Sequence, residues 1–145
     1  MAGDDAAIPE AARRGFDLFT GRAKCSECHA GWRFTDDSFH DIGTGGDNDP
    51  GRGRLFPNSQ ALQHAFKVPT LRDVARRAPY MHDGSLPTLE SVIALYDRGG
   101  VARPSRDAHI GPLQLSGQER GDLIAFLQSL TGDAERAASP VIPAR

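Results

Sequence analysis

The only two cysteines of this 145-residue chain fall within one short run, Cys25-Ser26-Glu27-Cys28-His29. The pattern C-x-x-C-H sets two thiols one turn apart, with an imidazole directly after the second. That order is the attachment signature of a c-type haem. Each thiol can add to a vinyl group, and His29 then lies beneath the metal as a ligand from one side. A chain so constrained has to fold around the porphyrin, with the tethered segment as one wall.

Other uses of the same residues fit less well. Two cysteines cannot make a four-cysteine zinc site from this chain alone. A thioredoxin-like C-x-x-C asks for a βαβ pattern around it, and none is visible. A plain disulfide leaves His29 unexplained. There is no second C-x-x-C-H and no internal repeat, so one covalent haem c is expected.

The length predicts a single domain over residues 1–145, with an ordered core at about 8–132. The tail at 133–145, rich in Ala, Pro and charge, reads as loose. Net charge is −2, which gives no basic field of the kind nucleic acid needs. No apolar run is long enough to span a bilayer. The start, Met1-Ala-Gly-Asp-Asp, lacks the basic and apolar parts of a signal peptide. Covalent haem nevertheless implies the periplasm or another exported compartment, so the leader is expected to be absent from this form.

Periodicity predicts an all-α chain. A helix over 9–22 starts at Pro9 and presents Ala12, Phe16, Phe19 and Ala23 on one face. Gly15 in that helix suggests a close helix–helix crossing. Residues 30–67 read as loop, punctuated by Gly43, Gly45, Gly46, Gly51 and Gly53. Asp47 and Asp49 there invite calcium, but the spacing lacks the distal Glu of an EF-hand, and turn chemistry explains the stretch. Calcium is therefore not expected. A short helix over 70–78 would be capped by Thr70, bury Leu71, Val74, Ala75 and Ala78, and end at Pro79. A helix over 87–97 carries Leu89, Val92, Ile93 and Tyr96 on one face and stops at Gly99-Gly100. The last helix, 117–131, opens with the capping pair Ser116 and Glu119 and buries Leu123, Ile124, Leu127 and Leu130. First and last helices should pack together, leaving the middle helices to cover the other haem face. That arrangement suits a cytochrome c-like fold.

Several segments carry a wider resemblance. They are residues 28–43 (Cys-His-Ala-Gly-Trp-Arg-Phe-Thr-Asp-Asp-Ser-Phe-His-Asp-Ile-Gly), 66–75 (Phe-Lys-Val-Pro-Thr-Leu-Arg-Asp-Val-Ala) and 78–90 (Ala-Pro-Tyr-Met-His-Asp-Gly-Ser-Leu-Pro-Thr-Leu-Glu). Tyr-Asp-Arg-Gly-Gly at 96–100 and Leu-Ile-Ala-Phe-Leu-Gln-Ser-Leu-Thr-Gly at 123–132 complete the set. Together they resemble the C-terminal haem domain of the bacterial dihaem cytochrome c peroxidase and MauG family. The resemblance implies an electron-passing haem, since in that family the N-terminal haem usually meets peroxide. It also implies a possible second haem domain or subunit, because this chain has only one attachment motif.

The second axial ligand separates the possible roles. From the residues alone Met81 is the obvious candidate, and its alternative is packing. The resemblance points instead to Tyr96. Relatives tolerate Phe at the Met81 position, and the Tyr96 segment corresponds to where the family places its distal ligand, Met in typical peroxidases and Tyr in MauG-like proteins. A core Tyr with a bonded hydroxyl remains the other reading of Tyr96. His82 is expected to hydrogen-bond near the haem or its propionates, and Arg72 to pair with a propionate or remain an exposed charge. His40 should brace the haem-carrying loop, while His64 and His109 read as surface residues. Trp32 could pack on the ring or relay electrons to a partner.

The leading expectation is a monohaem electron carrier that meets a redox partner protein. The rival is a peroxidase or MauG-like haem oxidant, alone or beside a second haem domain, with Glu27, His82 or Asp83 as candidate acid–base groups. A haem-based sensor with a displaceable ligand is a third class.

Overall fold

The computed structural model describes residues 7–46 and 48–132. The tail at 133–145 and Asp47 lie outside the described residues. Three α-helices carry the fold: α1 (Glu10–Thr20), α2 (Leu89–Arg98) and α3 (Gly117–Ser129). Short 3₁₀ turns lie between them, at Cys25–Glu27, Arg52–Arg54, Gln60–Leu62 and Val74–Arg76.

α1 begins after Pro9, which stands at the cap position rather than inside the helix. Its Ala12, Gly15 and Phe19 are buried, the spacing that puts one helical stripe against a neighbour. That neighbour is α3. Its start is fixed by the predicted capping box: the Ser116 hydroxyl accepts from the Glu119 N–H, and the Glu119 carboxylate accepts from the Ser116 N–H. α3 buries Asp122, Leu123, Phe126 and Leu127. The crossing is close because Gly15 has no side chain; a Cβ there would overlap the Asp122 carbonyl and stand 2.8 Å from the Phe126 Cβ. Arg14 locks it with Nε and Nη2 on the two Asp122 carboxylate oxygens, at 2.9 and 2.8 Å. Phe19, Phe34 and Phe126 meet as a triangle of rings with centroids 5.0 to 6.0 Å apart.

α2 has a capping box of its own, Thr88 with Ser91, and ends at Gly99 in the left-handed conformation, φ 83°. Glycine bears that geometry at no steric cost. Leu89 and Ile93 of α2 join Leu71, Val74 and Leu115 in the same core as α1 and α3.

Two expectations are corrected. Residues 70–78 do not form a helix. The Thr70 hydroxyl donates to the Arg33 carbonyl and accepts from the Arg72 N–H, so it closes a local turn instead of capping. Asp73 then takes φ 56°, and only Val74–Arg76 winds as a 3₁₀ turn. Leu71 and Val74 are buried as expected, but Ala75 and Ala78 are exposed. Residues 30–67 are mostly loop, as expected, but among them lies one short ladder that the all-α reading did not anticipate. β1 (Phe39–His40) pairs antiparallel with β2 (Phe66–Lys67), setting Phe39 against Lys67 and His40 against Phe66. Two residues per strand are too few to read from alternation. This ladder, with Val68 N–H on the Ser38 carbonyl at 2.9 Å and the Thr35 hydroxyl on the Val68 carbonyl at 2.7 Å, ties the segment after His29 to the segment before the Leu71 turn.

Candidate haem site

α1 ends at Thr20, and the chain turns through Lys24 in the left-handed region into the 3₁₀ turn Cys25–Glu27. The His29 N–H donates to the Cys25 carbonyl at 2.9 Å, so the motif closes as one compact turn. Cys25, Cys28 and His29 all line a single cavity of about 380 Å³.

The rest of the wall is mainly apolar. Phe19, Leu123 and Leu127 come from the α1–α3 pair, Leu71 and Val74 from the corrected turn, and Leu89, Val92, Ile93 and Tyr96 from α2. Ile110, Leu113 and Leu115 close it ahead of α3, and Tyr80, Met81 and His82 enter from the segment before α2. A mainly apolar, partly open cavity with two thiols and an imidazole in one wall fits a covalently held porphyrin.

His29 is oriented for ligation. Its Nδ1 lies 2.9 Å from the Phe34 carbonyl, which makes Nδ1 the protonated nitrogen and leaves the Nε2 lone pair free. Burial pushes the imidazole pKa below its ordinary value, against the pull of the Phe34 carbonyl and the Asp36 charge. The neutral ring is the form that binds a metal. Burial also raises the two thiols, Cys25 to about 12 and Cys28 to about 11, the latter helped by Asp107, Asp36 and Glu27.

The two candidates for the opposite ligand both reach the cavity. Tyr96 sits on the α2 face with Val92 and Ile93. Among the described residues its hydroxyl meets no hydrogen-bond partner, unlike Tyr80, whose hydroxyl donates to the Val74 carbonyl at 3.1 Å. Burial, then the neighbouring thiols, raises the Tyr96 phenol above its ordinary value. Met81 lines the same space from a strained backbone, φ 71°.

The other predicted residues divide. His82 lines the cavity, with Nε2 2.7 Å from Asp49 and its ring stacked 3.5 Å from that of Phe66. His40 does brace the loop: Nδ1 meets Asp107 and Nε2 meets the Ser38 hydroxyl, each at 2.6 Å. It also lies in the wall, and its ligand atoms come within 4.8 Å of Cys28 and Asp36. Arg72 does not line the cavity. Its Nε donates to the Trp32 carbonyl at 2.8 Å, because the turn that replaces the expected helix directs it along the surface. The cations in the wall are Lys24, Lys67 and Arg77; Lys67 lies inside the 66–75 segment and the other two flank motif segments, and no pattern in the sequence marks any of them as lining a cavity. His109 is exposed, as expected, and also borders the cavity, with Nδ1 2.9 Å from Asp107. His64 is half-buried, with Nδ1 on the Asp49 carbonyl. Of the acid–base candidates, only His82 borders the cavity; Glu27 and Asp83 are exposed.

Among the described residues no helix is long and apolar enough to cross a membrane. Comparison with known proteins agrees with this architecture. The cytochrome c family matches residues 12–131. The methylamine utilization protein MauG of Methylorubrum extorquens is 50% identical over 97% of this chain and 40% of its own length. A cytochrome-c peroxidase, IdrP1, of Denitromonas iodatirespirans is 32% identical over 90% of this chain and 42% of its own length. A crystal structure of a MauG-like protein associated with microbial copper homeostasis superposes with a TM-score of 0.80 at 31% identity, over 87% of this chain and 45% of that one. The chain therefore spans less than half the length of these relatives. With a helical cage built around C-x-x-C-H, and with the resemblance to haem domains of the MauG and dihaem peroxidase family upheld, the chain belongs to the cytochrome c family.

Proposed function

We propose that the domain holds one haem c through thioethers to Cys25 and Cys28, with His29 on one axial side and Tyr96 on the other, and that it transfers electrons. Bound haem supplies a one-electron iron couple, whose potential is set by axial ligands and burial. The observation that carries the reading is the joint placement of Cys25, Cys28 and His29 in one wall of a mainly apolar cavity, with His29 Nδ1 already committed to Phe34.

The chain's own residues perform the rest. The Phe34 carbonyl fixes the His29 tautomer and raises its basicity as a ligand. Phe19, Leu89, Ile93, Leu123 and Leu127 keep water from the cavity, which limits solvent reorganisation when charge moves. Tyr96 is favoured over Met81 because its hydroxyl faces the cavity unpartnered. Its phenol resists losing a proton by itself, so ligation draws on the positive charge of ferric iron. Arg77, Lys24 and Lys67 are suited to balancing propionate charge. Thioether attachment places the working protein in the periplasm or another exported compartment.

The MauG and peroxidase relatives support a second reading, in which this domain serves an oxidant built from two haem domains. His82, held by Asp49 and Phe66 at the cavity edge, is then the acid–base candidate.

Visible and near-infrared spectra of the purified holoprotein test the assignment. Tyr96→Phe should change the ferric spectrum, while Met81→Leu should leave it intact. An unchanged Tyr96→Phe spectrum, or a sulfur-to-iron near-infrared band lost in Met81→Leu, transfers the ligand to Met81. Rapid turnover of peroxide with an electron donor by the isolated domain would favour the oxidant reading.

A further inference from the structure

Trp32 is the one tryptophan of the chain, lies four residues past Cys28, and leaves 77% of its surface in water. It is not on a free loop tip. Arg72 Nε holds its carbonyl, the Thr70 hydroxyl holds the next carbonyl along at 2.5 Å, and the Phe34 N–H closes on Gly31 at 3.1 Å. Phe34 itself is packed on Phe19 and Phe126. The backbone on both sides is therefore tied to the core and to the Leu71 turn. Among the described residues no ring or cation stacks on the indole. A large aromatic surface is held outward on a firm frame.

The charge beside it opposes the charge of the whole. Arg33 and Lys67 share one carboxylate, Asp37. Arg72 is exposed, its guanidinium 5.1 Å from the Phe34 ring, and no carboxylate pairs with it among the described residues. The patch thus carries an excess of positive charge on a chain of net charge −2. It is continuous with the haem cavity through Lys67 and Thr70, and the cavity wall contains no Asp or Glu among the described residues.

We infer that Trp32, with Arg33, Lys67 and Arg72 around it, is the docking surface for a redox partner that presents carboxylates around an apolar centre. Trp and Arg are the residue types that anchor interfaces, and complementary charge speeds encounter more than it tightens the complex, which suits brief electron-transfer contacts. A second copy of this chain would set cation against cation. The inference rests on the electron-transfer reading for its purpose, but its test does not.

The single indole N–H gives one assignable NMR signal in the holoprotein. The probes are hexacyanochromate(III), an inert paramagnetic anion, and tris(ethylenediamine)chromium(III), its cationic counterpart. The anion should broaden the Trp32 indole signal first, the cation should not, and added salt should erase the effect as screening shortens to about 10 Å at 0.1 M. Lys67→Glu and Arg72→Gln should each lose most of the broadening, and Arg13→Glu on the exposed side of α1 should lose none. Equal broadening by both probes, broadening centred elsewhere, or insensitivity to both patch variants overturns the inference. So does concentration-dependent broadening of the indole without probe, which would assign the surface to self-association. An intact anion map with no electron exchange would instead count against the functional reading alone.

Discussion

Gly15 of α1 lies directly against the main-chain carbonyl of Asp122 in α3, leaving no space for a side chain between the two helices. The obstacle is backbone, so no rotamer change can relieve it. Gly15→Ala should destabilise the holoprotein by about 1–3 kcal/mol, the range for overpacking, even though alanine favours helix. Urea unfolding followed at the main haem absorption band checks this. A neutral or stabilising result would mean the helices separate easily.

The pair Asp41 and Arg103 should be a second sensitive point. The Asp41 side chain is fully buried and receives Arg103 Nε and Nη2 at 2.7 Å each, with Ser105 at 2.6 Å. Burial alone would raise its carboxyl pKa, but Arg103, Ser105 and the Gly43 N–H outweigh burial and hold it below the ordinary value. Arg103→Ala strands that charge and should cost about 3–5 kcal/mol. Arg103→Lys should recover only part, since an ammonium cannot match the two-pronged contact. Thermal unfolding of both variants measures the difference.

If the proposed attachment holds, His29→Gly should keep haem on the chain through the two cysteines while removing the imidazole anchored at Phe34. Mass spectrometry of the denatured protein should still show the haem mass. The ferric spectrum should change, and added imidazole should restore it by filling the vacated space.

Acid should weaken the start of α3. The Arg22 guanidinium, then the Ser116 N–H and hydroxyl, hold the Glu119 carboxyl down to about 2. A carboxyl depressed in the folded state stabilises above its ordinary pKa, about 4.3 for Glu, and that contribution is lost as pH falls toward the folded value. Melting temperature should therefore drop through that window, and Glu119→Gln should flatten the drop while lowering stability at neutral pH.

What could be read in the sequence follows from how local its causes are. The attachment motif, the Ser116–Glu119 cap, the Gly99 stop and the α1–α3 pairing each depend on neighbouring residues or on one helical stripe. The turn at 70–76 was hidden because Thr70 answers to Arg33, far away in sequence. The β1–β2 ladder is two residues long and fixed by pairing alone. His109 is exposed as expected, but its place at the cavity edge depends on Asp107, which is itself placed by an N–H bond to the Asp41 carbonyl.

Gly43 and Gly100 lie back to back, with a Cβ on Gly43 standing only 2.9 Å from the Gly100 Cα, and the Val101 N–H donates to the Gly43 carbonyl at 3.0 Å. The strip of chain that follows His29 is thereby pinned to the end of the helix bearing Tyr96. The contact opposes sliding of that helix past the Gly43 segment. If His29 and Tyr96 hold the haem as proposed, this contact would couple the two ligand-bearing segments through the backbone.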